Sequence, residues 1–478
     1  MDEHDSVSVV EDLTIQPVPE SQRDGKVKHL FSFWFTVQII PLSVVTGILG
    51  PTIYHLDLPS TITALAIGNV IGAVFMALHS AQGPTLGVPQ MIQARGQFGM
   101  YGSLLVIVVV ILMYVGFFVS LMVLAQQTLV AVLPGLGTVA ALGISTALTL
   151  VAVVFGYRFI HRLNRVLIWL STIALVLALV YTTISAVRGE ARAGGSFNWT
   201  GFLGMASVAG IWQLSYAPYV SDYSRYLPTR TSARAAFWYT YVGTVVGGFA
   251  TMAVGALIIA GLGANASLAT LSRILPGPLF VFVMLVFFLG SLDAGVINLY
   301  GPSLCVLTCI QTFNLKWSPR AWSRNITATV IAVVAFVISI GFSNDFLVEY
   351  ANFINVLVYL LIPWSIVNLV DYYIVKKGHY DPESFSDPKS GYGAFNVPAV
   401  LSYVLGFLVQ IPFMSTAIYE GPIAQAIGGI DTAWIVGTIA TFFIYLGLVK
   451  AWSLRSSASA SAPLLADVER PAAGADVL

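Results

Sequence analysis

PLFVFVMLVFFLGSLDAGVINLYGPSLCVLTCI, residues 278–310, decides the fold class. The stretch is apolar on every side and carries one charged residue, Asp293. A helix that crosses a bilayer needs about 20 apolar residues, and this run exceeds that length. A run this apolar cannot be a surface helix of a water-soluble protein, because it has no polar face to turn outward.

The rest of the chain repeats the pattern. Of its 478 residues 57% are hydrophobic and only 9% charged, with a mean hydropathy of +0.84. Soluble domains carry about 25% charged residues, so the bilayer must solvate most of this chain. Twelve apolar spans are expected near 30–54, 59–80, 100–133, 136–157, 164–187, 200–221, 236–263, 276–312, 324–343, 346–375, 397–419 and 431–453. This makes an all-α polytopic membrane protein, with a transmembrane domain over 29–455 and polar, flexible tails at 1–28 and 456–478.

Loop charge orients the spans. With the N-terminus in the cytoplasm, every basic residue falls on the cytoplasmic side except Arg188, Arg192 and Arg273. A wrong count of spans would scramble that asymmetry. Both termini are therefore expected in the cytoplasm, in a cytoplasmic or plasma membrane. The net charge of zero gives no sign of a nucleic-acid partner. The two cysteines, Cys305 and Cys309, read as small packing residues without a metal signature.

Polar groups deep in a span are costly and mark function. Asp293 lies about midway through the eighth span and is followed by Gly295, Asn298 and Tyr300. It reads either as a hydrogen-bonded acid that pins helices or as a group that exchanges a coupling proton. The first span, FWFTVQIIPLSVVTGILGP (33–51), is interrupted by Pro41, Thr46, Gly47 and Gly50. The sixth, SVAGIWQLSYAPYVSDYSRYLP (207–228), carries Gly210, Gln213, Ser215, Tyr216 and Pro218. Such breaks are ordinary proline kinks or, in corresponding places of two halves, a midplane site where freed backbone binds substrate or ion. Trp212, Gln213, Ser215 and Tyr216, with Tyr114, Phe117 and Phe118 of the third span, mix aromatic faces with amide and hydroxyl edges. That mixture suits a flat heteroaromatic ring, although aromatics also pack membrane helices.

Four stretches then carry a resemblance: GPTLGVPQMIQARGQFG (83–99), DYSRYLP (222–228), INLYGPSL (297–304) and NLVDYYIVKKGHYD (368–381). In order and spacing they resemble the nucleobase–cation-symport-1 family over roughly 28–455, and within it the purine–cytosine permease branch. The resemblance implies a LeuT-type fold, two inverted five-helix repeats followed by two C-terminal helices. It implies alternating access around a site between the first, third, sixth and eighth spans. Gln213, Ser215, Tyr216, Asn298 and Tyr114 fall on or near the family's substrate positions, with Trp212 a neighbouring alternative. Family members often have tryptophan where this chain has Tyr114 or Tyr216. Sodium-coupled members use eighth-span hydroxyls near Asp293, where this chain supplies Ser291 and a carboxylate. The expectation is symport of a nucleobase such as cytosine or a purine, with a proton rather than sodium. No further cofactor is expected, and the oligomeric state is left open.

Arg95, Asp222, Arg225 and Asp371 all fall at inner ends of spans. They read as ion pairs that latch an inner gate, as interfacial anchors or, for Asp222 and Arg225 at i and i+3, as a pair with each other. Competing transport substrates are allantoin or hydantoin, a nucleoside, a pyridoxine-like vitamin or thiamine. An intramembrane enzyme would need a nucleophile–base pair or metal cluster at depth. The six histidines lie in tails, loops or span ends, without an HExxH motif. A channel would need a filter or pore-lining rings, and none stands out.

Overall fold

The computed structural model describes residues 16–466 apart from 156, 189–194, 318, 320, 343, 344 and 417. Helices dominate: α1 (Lys28–Val37), α2 (Pro41–Thr52), α3 (Leu58–Ser80), α4 (Gly83–Leu86), α5 (Gln90–Phe98) and α6 (Ser103–Val132) open the chain. They are followed by α7 (Thr138–Phe155), α8 (Tyr157–Arg188), α9 (Trp199–Leu214), α10 (Ala217–Ser224) and α11 (Ala233–Leu262). Then come α12 (Gly277–Phe313), α13 (Ala321–Phe342), α14 (Phe346–Val370), α15 (Val397–Gln410), α16 (Pro422–Ala426) and α17 (Ala433–Ala466). Among the described residues there is no strand, only an isolated bridge between Ser415 and Glu420.

Eight of these helices are long and apolar enough to cross a bilayer, and the pair α1/α2, bent by 60°, makes a ninth. Shorter apolar helices at 138–154 and 397–413, with the interrupted α9/α10, account for the remaining sequence spans. The first break lies at Gln38–Ile40, just ahead of Pro41, which begins α2. Proline suits that place because a first-turn amide has no intrahelical partner to lose. The second break is the Ser215–Tyr216 turn, with Pro218 likewise in the first turn of α10.

Gly47 does not interrupt the helix; it lies inside α2 for a different reason. A Cβ there would sit 1.8 Å from the Met252 carbonyl oxygen of α11, and one at Gly255 would sit 1.9 Å from the Val44 carbonyl. The two backbones touch through this reciprocal pair, as small residues allow between helices in lipid. Gly68 and Gly72 of α3 meet the Ala206 and Gly210 carbonyls of α9 in the same way. Both broken spans are thereby clamped to unbroken helices.

The segment from residue 16 to 27, read as flexible tail, instead straps across the chain. Val18 is buried and its amide donates to the Gly87 carbonyl at 2.9 Å. Arg23 Nη1 donates to the Pro84 carbonyl at 2.9 Å, and the Gly25 amide to the Tyr226 carbonyl at 3.1 Å. Gly87 sits at φ +65°, where the Arg23 guanidinium fills the space a side chain would need. At the other end α17 continues to Ala466, beyond the 456 expected for the start of the tail. Residues 1–15 and 467–478 of the expected tails lie outside the described residues.

Candidate substrate and ion site

The two breaks meet. Val37, Ile40 and Leu42 from the first span face Trp212, Ser215, Tyr216 and Tyr219 from the sixth. Phe117 and Leu121 of α6 and Ala294, Ile297 and Asn298 of α12 close the enclosure. The cavity between them measures about 20 Å³, room for about one water molecule. Phe117 stands edge-on to Trp212 at 6.0 Å, and Trp212 edge-on to Tyr216 at 6.0 Å. Aromatic rings in such edge arrangements leave faces and edges for a planar guest.

Asn298 supplies the polar group. Its Nδ2 donates to the Ala294 carbonyl at 2.8 Å, one turn back along α12. Its Oδ1 is buried and accepts no hydrogen bond. A buried acceptor left unmatched costs about 1–3 kcal/mol, so this oxygen favours a donor that enters the cavity. Ser215 turns its hydroxyl onto the Trp212 carbonyl at 2.7 Å, satisfying a carbonyl freed by the break.

The structure thus gathers Phe117, Trp212, Ser215, Tyr216 and Asn298 of the sequence-derived site. It does not place Tyr114 or Gln213 on the cavity wall. Tyr114 is buried against Tyr219, ring centroids 5.2 Å apart, and packs behind it. The Gln213 side chain points away, its Nε2 donating to Asn69 Oδ1 at 2.6 Å and to the Thr244 carbonyl at 3.1 Å. The hydroxyl of Thr244 donates back to Gln213 Oε1 at 2.5 Å.

Gln38 and Tyr219 are the residues that sequence reasoning missed. Gln38, in the first break, accepts the Trp212 indole N–H at 2.6 Å and donates to Thr244 Oγ1 at 2.7 Å. It ties both breaks to α11. An amide three residues before Pro41 in an apolar run was the available signal.

Asp293 is buried, and its neighbour Ala294, not Asp293 itself, lines the cavity. One turn before it, Gly290 brings α12 against the first break, where a Cβ would lie 3.3 Å from the Ile39 carbonyl oxygen. The carboxyl therefore stands on the helix that passes the unwound backbone. Ser291 is buried and back-bonds to the Phe287 carbonyl at 3.0 Å.

At the inner ends, Arg95 and Asp371 take partners other than each other. Arg95 is buried and donates to Ser386 Oγ at 2.9 Å, Thr312 Oγ1 at 3.0 Å and the Thr308 carbonyl at 3.5 Å, none a carboxylate. Burial lowers its guanidinium to about 10. Asp222 Oδ1 accepts the Gln90 amide at 2.8 Å and so caps the start of α5. Arg225 lies over the Tyr226 ring at 4.9 Å. Asp371, buried in the wide turn that ends the tenth span, accepts hydroxyls from Tyr380 and, at 2.7 Å, Tyr445. Its ion-pair partner is Lys376, at 3.6 Å, whose Nζ also donates to the Gly96 carbonyl at 2.8 Å. Burial lowers the Lys376 ammonium, while Asp371 opposes that shift. This cluster joins the tenth span to α5 and α17.

Comparison with known proteins follows the same lines. Residues 17–437 match the family described as permeases for cytosine/purines, uracil, thiamine and allantoin. The chain is 38% identical to a putative purine-cytosine permease, YxlA, of Bacillus subtilis, over 92% of this chain and 96% of the relative. It is 24% identical to the purine-cytosine permease fcyB of Emericella nidulans, over 92% and 88% of the two chains. Its fold matches that of Mhp1, a nucleobase-cation-symport-1 family transporter, in a closed conformation with bromovinylhydantoin bound. That match has a TM-score of 0.74 at 16% identity and covers 94% of this chain and 97% of Mhp1. An inward-facing Mhp1 gives a TM-score of 0.69 at 16% identity, covering 94% and 95%. The LeuT-type architecture follows from that likeness, and a transporter rather than an enzyme follows from the family. This chain belongs to the family of permeases for cytosine/purines, uracil, thiamine and allantoin.

Proposed function

We propose that this chain imports a nucleobase, cytosine or a purine, across the cytoplasmic membrane by cation symport. The observation that carries the reading is the enclosure between the two breaks, with aromatic walls and the unmatched Asn298 Oδ1. Phe117, Trp212 and Tyr216 would hold the ring faces, and Asn298 an edge N–H. The named relatives that are purine-cytosine permeases support this substrate class. The basic residues gathered on one side support an orientation with both termini in the cytoplasm.

A cavity of about 20 Å³ cannot take a ring unless the bundle opens. That supports alternating access, with α10, the α4–α5 hairpin and the residue 16–27 strap shifting on the inner side. Asp293, beside the first break, is the group that takes the coupling proton, with Ser291 next to it in the same turn. A carboxylic acid at this depth needs only a change of surroundings to change its proton affinity.

The test is uptake of labelled cytosine and adenine into cells expressing the chain, at several external pH values, with and without sodium. Saturable uptake that collapses with a protonophore and ignores sodium supports the full reading. Sodium dependence moves Asp293 into a sodium site. Failure of both bases, in cells shown to insert the protein, replaces the substrate by allantoin, thiamine or another ring compound.

A further inference from the structure

A second and much larger cavity lies at the end of the first span opposite the N-terminus. It measures about 290 Å³, against about 20 Å³ for the enclosure between the breaks. Along α2 the linings run from Leu42 to Ile53, roughly 17 Å of helix, and along α9 they approach to Trp212 and Ser207, roughly 8 Å. Its walls come from α9, α14 and the loops around 415 and 430. Thr200 at its rim is exposed and Val348 is 48% exposed, so the cavity communicates with the surface on that side.

The lining is mostly apolar, with polar groups set into it, one of them unmatched. Tyr54, Ser207, Asn352, Asn355, Thr416 and Asp431 all contribute. The Ser207 hydroxyl is buried with no hydrogen-bond partner. Asp431 accepts the Tyr359 hydroxyl, the Ser415 amide at 3.0 Å and the Ala433 amide at 2.9 Å. No cation pairs with it among the described residues. A carboxylate that only accepts, beside amides that do both, suits a ligand that carries N–H donors. Tyr54 adds an aromatic surface.

We infer that this cavity is an outer binding site that takes an amino-bearing nucleobase before the central enclosure opens. The inference rests on the nucleobase reading above. The central space is too small for a ring as it stands, whereas this one is large enough and open to the outside. The ring's amino and ring N–H groups donate to Asp431, and Asn352 and Asn355 match its carbonyl or ring nitrogens.

The experiment is equilibrium binding of labelled cytosine and labelled adenine to the purified full-length chain in lipid nanodiscs, with uptake kinetics in parallel. Two bound bases per chain are expected, falling to one in Trp212→Ala and to one in Asn352→Leu. Asp431→Asn, which replaces one acceptor oxygen by a donor, should also bind one, and the monodisperse fraction of each variant in detergent is the check on folding. In uptake, Asn352→Leu should raise KM on the order of fivefold, the loss of about one hydrogen bond, with the maximal rate kept. One base per chain, abolished by Trp212→Ala and untouched by Asn352→Leu and Asp431→Asn, overturns the outer site and leaves the nucleobase reading standing. No binding of either base overturns both.

Discussion

The indole Nε1 of Trp212 donates to the side-chain oxygen of Gln38 at 2.6 Å, joining the break in the sixth span to the break in the first. Both residues are fully buried, Trp212 walls the enclosure, and Gln38 passes the connection on to Thr244 of α11. The orientation of one aromatic wall is thus set by a residue on the opposite half-span.

Gln38→Leu should release that wall. The indole N–H would be left buried without an acceptor, at about 1–3 kcal/mol, and its ring would leave the position that shapes the enclosure. The expected result is a rise in KM of at least tenfold for the transported base, with normal membrane insertion. Gln38→Glu keeps an acceptor for the indole and should retain more affinity than Gln38→Leu in the same uptake assay.

Gly47→Ala should fail as a protein before it fails as a transporter. Its methyl would meet the Met252 carbonyl at 1.8 Å, and backbone cannot swing aside as a side chain can. Overpacking of this kind costs about 1–3 kcal/mol or more. The check is a lower melting temperature and a reduced monodisperse fraction in detergent, with Gly341→Ala, which meets nothing within 4 Å, as the neutral control.

Asp371→Asn should loosen the inner end of the tenth span. Lys376 would lose its carboxylate and the hydroxyls of Tyr380 and Tyr445 would face a weaker acceptor. Breaking a buried pair from one side costs roughly 3 kcal/mol. Tyr445→Phe removes a single hydrogen bond and should cost about 1 kcal/mol. Thermal unfolding of the two variants side by side tests that order.

Asp293→Asn should separate binding from coupling. Base binding to the purified variant is expected to remain within about threefold of the parent, because Asp293 does not line the enclosure. Concentrative uptake should disappear, leaving exchange that ignores a protonophore. A variant that still accumulates the base in a pH-dependent manner removes Asp293 from the coupling step.

The strap predicts an accessibility change. Arg23→Ala removes donors to the Pro84 and Val18 carbonyls and empties the space beside Gly87. Cysteines introduced at Thr85 should then react faster with a thiol reagent from the cytoplasmic side.

Composition and apolar run length sufficed for a membrane bundle, because lipid requires every spanning backbone group to be satisfied within its own helix. The order of four motifs carried the family, and Pro41 and Pro218 marked both breaks within a few residues. Phe117, Trp212, Ser215, Tyr216 and Asn298, which line the enclosure, were legible as candidates because polar and aromatic groups are conspicuous in apolar spans. Which way each side chain points was not legible. Gln213 and Gln38 are both amides beside a break, yet Gln213 turns to Asn69 while Gln38 holds Trp212. Arg95 and Asp371 share one end of the bundle, yet each takes other partners. Such choices depend on helix rotation and on close approach between helices, as at Gly47 and Met252. Most of those contacts join residues more than a hundred positions apart, and only the packed bundle decides them.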